Sequence, residues 1–168
     1  MRSRISIAIV GALATISSPG SASAQGLDVP VKVEITTADR WMRWGRAEAL
    51  RLHNEAVDRI GAGRQARAGR PRSGAYERML RSKGVPPPGA EDWKKALELL
   101  GQALEKDSTI AEVHYALGYC RVVMGHLDTA RDHFQQALKL RPSYTEASRA
   151  LTLTNTALEW RASRGRDQ

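Results

Sequence analysis

The chain of 168 residues has a single cysteine, Cys120, so no disulfide can close within it. Cys120 stands among Leu117, Val123 and Met124 at helical spacing, the setting of a small buried hydrophobe rather than of a reactive thiol. Histidine is scarce as well: His53, His114, His126 and His133 are all there are. There is no HExxH or CxxC motif, and no glycine-rich phosphate loop follows a strand. His126, Asp128, Asp132 and His133 crowd together in sequence, but Asp128 and Asp132 share a helix face that His133 leaves by about 100°. His114 and Cys120 lie six residues apart, which on one helix turns them about 120° away from each other. The pattern supports no catalytic, metal or cofactor assignment, and the chain reads as a non-enzyme.

Long apolar runs are missing, with one exception. Arg2 and Arg4 precede a twelve-residue apolar run, Ile5 to Ile16, and Ala22-Ser23-Ala24 supplies small residues before Gln25. This is the layout of a secretory signal peptide over residues 1–24. The run is too short to span a bilayer, which takes about 20 residues. No other stretch is apolar enough, so no transmembrane helix is expected after cleavage. The reading implies an exported protein, periplasmic or secreted, in a bacterial envelope.

Acidic residues are missing where basic ones gather. Arg64, Arg67, Arg70, Arg72, Arg78, Arg81 and Lys83 fall between Gly61 and Pro88 against Glu77 alone, a net +6. Residues 1–24 add two arginines and no acid, and the remainder sums to zero. The high pI thus reports one basic stretch, not a basic protein. That stretch would attract phosphate-bearing polymers, an anionic polymer or a membrane surface, with an affinity that falls steeply with salt. Tyr76 is the one aromatic among the arginines, too little for reading a nucleic-acid sequence.

What the chain does have is helical periodicity. Residues 25–36 alternate Val29, Val31, Val33 and Ile35 with polar residues and predict an extended arm. Thr36, Thr37 and Asp39 start a helix over about 38–60 with Trp41, Gly45, Ala49, Leu52, Ala56 and Ile60 on one face, and Gly61-Ala62-Gly63 would stop it. The Gly-, Pro- and Arg-rich segment 61–90 reads as an insertion with a short helix around 76–81. Further helices are expected over about 91–105, 110–124 and 128–140. Thr109…Glu112 and Ser143…Glu146 have capping-box spacing, the second opening a last helix. Residues 37–162 form the domain, and 163–168 a disordered tail.

Two of these helices are copies. A shift of 34 residues lays Ala130, Phe134, Ala137 and Leu138 on Ala96, Leu100, Ala103 and Leu104. The fuller unit reads His114-x2-Leu117-Gly118-x2-Arg121, then Ala130-x3-Phe134-x2-Ala137, then Pro142. It resembles the tetratricopeptide repeat, a 34-residue helix pair in which small residues let the helices approach. His114 and Arg121 depart from the family's large aromatics. The resemblance implies an all-α fold: a short helical-hairpin solenoid of about two units with a C-terminal capping helix, at the lower limit of a continuous core and open to homodimer formation.

The resemblance also implies a protein-binding scaffold or adaptor. Stacked units line a concave groove with their first helices and hold a protein or peptide ligand there. The register puts Glu112, Tyr115, Tyr119 and Val122 on that side of helix 110–124, with Arg149 and Leu153 of the last helix beside them. The alternative role is a tether to anionic polymers or a lipid surface through 61–88.

Overall fold

The computed structural model describes residues 26–166 except 43 and 71–73. The signal-peptide reading of 1–24 falls outside them. The helical stretches among the described residues are α1 (Thr37–Met42), α2 (Trp44–Arg67), α3 (Gly74–Ser82), α4 (Ala90–Lys106), α5 (Ala111–Val123), α6 (Leu127–Leu140) and α7 (Thr145–Arg166). Among the described residues there is no strand.

The repeat spacing becomes packing. Leu127, Ala130, Phe134 and Ala137, the buried face of α6, stand 34 residues after Trp93, Ala96, Leu100 and Ala103 on the buried face of α4. Both faces follow the three-and-four spacing of one helix side. Helix α4 packs on α2 and α5, and α6 packs on α5 and α7, while α2 meets α5 and α5 meets α7. The result is an inner row of α2, α5 and α7 backed by α4 and α6. Helix α5 is buried on nearly every side, from Ala111 and Val113 through Cys120 to Val122, because helices cover it all round. Helix α2 thus serves as the first helix of the pair that α4 completes.

Glycine sets two of the approaches. A Cβ on Gly118 would sit 2.5 Å from the Phe134 ring, so α5 and α6 close only because that position is bare. Gly63 does not stop α2, contrary to the sequence expectation; the helix runs on to Arg67. Gly63 is buried where a Cβ would meet the Trp93 ring at 2.8 Å. The glycine makes room for the indole, and burial of a large aromatic outweighs the roughly 1 kcal/mol that glycine costs inside a helix.

Other boundaries also differ. The helix expected over 38–60 is described as α1 and α2, on either side of residue 43, and starts one residue earlier, at Thr37. Thr36 and Asp39 cap α1 reciprocally: Asp39 accepts from the Thr36 backbone N–H (3.0 Å) and hydroxyl (2.7 Å), and donates its own N–H to that hydroxyl (3.3 Å). These bonds hold the Asp39 carboxyl below its usual pKa. The capping box expected at Thr109 does not form. Ile110 is the N-cap, Thr109 donates its N–H and hydroxyl to Asp107, and the Glu112 carboxylate pairs with Arg141. Where a disordered tail was expected from 163, α7 continues to Arg166, with Ser163 donating to the Trp160 carbonyl and Arg164 lying over its ring.

Candidate functional site: the inner row and the arm across it

The inner row is where a groove should be, and the chain's own N-terminal arm crosses it. Residues 28–36 are extended and pair with no strand. The arm meets each inner helix in turn. At α7, the Asp28 carboxylate faces Arg149 at 3.6 Å. At α5, the Tyr115 hydroxyl donates to the Asp28 carbonyl at 2.5 Å. At α2, the Asn54 side-chain amide accepts from the Val33 N–H and donates to the Val33 carbonyl, both at 2.8 Å, and Lys32 reaches Asp58 at 2.7 Å. Pro30 is buried, and Leu27, Val29, Val33 and Ile35 pack on the core.

The chemistry of this face is that of gripping backbone. An extended strand exposes unpaired N–H and C=O groups that need partners when covered. Asn54 satisfies both groups of one residue. It is steadied by His53, whose Nδ1 lies 3.3 Å from the Asn54 oxygen. His53 itself is fully buried, and burial pushes its imidazole below the ordinary pKa, against the raising effect of Asn54. Burial likewise pushes the Tyr115 hydroxyl up, leaving it a neutral donor.

Beside the arm a cleft of about 640 Å³ runs between Asp28–Val33 and the residues Glu112, Tyr115, Arg141, Tyr144, Glu146 and Arg149. Its wall is cross-braced. Arg141 pairs with Glu112 and lies 4.8 Å above the Tyr144 ring, and Tyr144 stacks at 5.2 Å on Tyr115. Neither sign of charge dominates it.

Of the six groove residues read from sequence, the structure brings Glu112, Tyr115 and Arg149 to this cleft. Tyr119 (2 % exposed) and Val122 (5 % exposed) belong to the core. Tyr119 packs against Trp93, ring centres 6.3 Å apart, because α2 and α4 cover the side of α5 that was taken as open. Leu153 is 45 % exposed, at the arm's start near Gly26. Asn54 and Asp58 were missed: nothing local marks either residue, and their partners lie on a segment with no repeat signal.

The basic segment is not one loop. Arg64 and Arg67 sit in the last turn of α2, Arg70 follows it, and Arg78 and Lys83 lie in or just after α3. Arg72 and the Arg81 side chain fall outside the description. Arg64, Arg78 and Lys83 meet no carboxylate among the described residues.

The family model of the tetratricopeptide repeat matches residues 89–153, from just before α4 into α7. Residues 89–153 are a tetratricopeptide repeat region. The matched tetratricopeptide stretch holds the outer helix of one unit, the whole next unit and the start of the cap. Such repeats are protein–protein interaction modules and typically non-catalytic scaffolds. No curated protein matches the chain. No described helix is long and apolar enough to cross a membrane.

Proposed function

We propose that this chain is a non-enzymatic tetratricopeptide scaffold of an exported compartment, and that its inner row holds an extended polypeptide segment in exchange for its own arm. One observation carries the binding mode: residues 28–33 already lie across α7, α5 and α2, tied by backbone bonds to Tyr115 and Asn54. Main-chain bonds of this kind select an extended conformation rather than a sequence. Support for export comes from the sequence of residues 1–24. Cleavage after Ala24 would make Gln25 the new amino terminus, one residue before Gly26, at the end of the arm nearest Leu153.

The test removes the arm and offers it back. Every described helix lies at or after Thr37, so a chain starting at Thr36 keeps them all. A labelled peptide of residues 26–36 should bind it saturably by fluorescence anisotropy and raise its melting temperature. Asn54→Ala should weaken that binding. A truncated chain that stays helical yet ignores the peptide sinks the proposal.

A second reading is attachment to an anionic surface through 61–88. It is favoured by the charge of that segment and by α3, which packs on no other helix among the described residues.

A further inference from the structure

Helix α3 has the build of a packed element, yet it packs on no other helix among the described residues. Its end is well specified. Gly84 adopts φ 65°, and the Val85 N–H donates to the Leu80 carbonyl at 3.0 Å, closing the helix with a left-handed glycine and a bond back over the last turn. That closure brings Val85 round beside Leu80. Met79 is 42 % exposed and Val85 46 % exposed, and Leu80 between them is half-buried. Arg78 leaves the helix on the side away from Leu80, about 160° round. The helix is therefore sided, with an uncovered apolar patch.

Charge says what covers it. Arg78 and Lys83, on and just after α3, are exposed, as is Arg70 before it, and residues 61–88 carry a net +6. A protein groove that took this helix would need an acidic rim as well as an apolar floor. A free polyanion would be met by charge alone. An apolar side with cations on the opposite side and at the helix end is the pairing that suits the boundary between acyl chains and acidic headgroups.

We infer that α3 and Val85 form an interfacial anchor that seats the protein on an anionic lipid bilayer. Met79, Leu80 and Val85 enter the headgroup boundary, and Arg70, Arg78 and Lys83 meet the lipid phosphates. The inference rests on the reading of 61–88 as an anionic-surface tether and names the surface. It leaves the inner row free: Asn54 and Tyr115 belong to helices α2 and α5, not to α3.

The measurement is vesicle flotation of the chain beginning at Gln25, which keeps every described residue. Phosphatidylglycerol-containing vesicles should bind it at least about tenfold better than pure phosphatidylcholine vesicles, and added salt should weaken the binding. Met79→Ser with Val85→Ser, which leaves the charge unchanged, should cut vesicle binding about tenfold while heparin binding holds, since heparin tests charge without an apolar phase. Helix content by circular dichroism shows that both variants fold. Vesicle binding untouched by those two substitutions, with heparin bound equally well, overturns the lipid anchor and leaves a tether working by charge alone. Binding to neither overturns both.

Discussion

The side-chain amide of Asn54 on α2 pairs with both peptide groups of Val33, 21 residues earlier, through two bonds of 2.8 Å each. It does for one residue of the arm what a neighbouring strand would do. Asn54→Ala removes both bonds at a half-buried site, and should cost about 1–3 kcal/mol in chemical denaturation. Asn54→Asp keeps the acceptor and sets a carboxylate against the Val33 carbonyl, so it should be no better. Amide exchange at Val33 should accelerate in both variants. An unchanged exchange rate would show that the arm is held without this clamp.

Gly118 faces the Phe134 ring with room for no further carbon. Gly118→Ala should destabilise the chain by about 1–3 kcal/mol through overpacking of α5 on α6. Trimming the ring as well, in Gly118→Ala with Phe134→Leu, should cost less than the sum of the two single changes. Strict additivity in urea titrations would mean that the two positions do not share this contact.

Stability should fall on mild acidification. The buried His53 imidazole lies below its ordinary value of 6.5, chiefly through burial, and His133 does so through burial and the neighbouring His114 and Arg121. The unfolded chain therefore takes up protons first. The stability is fully present above the unfolded value and is lost as pH drops through it toward the folded-state values, by at most about 1.4 kcal/mol per pH unit for each group. His53→Gln should flatten part of that slope between neutral pH and pH about 5. An equal slope in the variant would remove His53 from the account.

Cys120 is fully buried, and burial pushes its thiol up to about 12. A disulfide reagent such as Ellman's should therefore label the native chain only as fast as it opens, and the unfolded chain at once. Rapid labelling of the folded protein at neutral pH would contradict the burial.

Individual residues show where sequence reading works. Ala96 and Ala130, Leu100 and Phe134 were legible as pairs because helix spacing and the 34-residue shift are local signals. The basic segment was legible as charge and its short helix near 76–81 as α3, yet the run of α2 on to Arg67 was not, because Gly61 and Gly63 look like a stop. Tyr115 and Tyr119 were both read onto the groove face. Only the seating of α2 and α4 against α5 decides that Tyr119 is core and that Tyr115 keeps a working hydroxyl.

The order of the helices, the buried faces of α4 and α6 and the close crossing at Gly118 follow from the sequence alone, since each rests on periodicity within a helix and on contact with the next helix along the chain. The path of the arm does not. It depends on Tyr115 meeting Asp28 across 87 residues and on Asn54 meeting Val33, contacts that bond to backbone and so leave no mark on which side chains the arm must carry. Only the stacked inner row brings those donors and acceptors to one face.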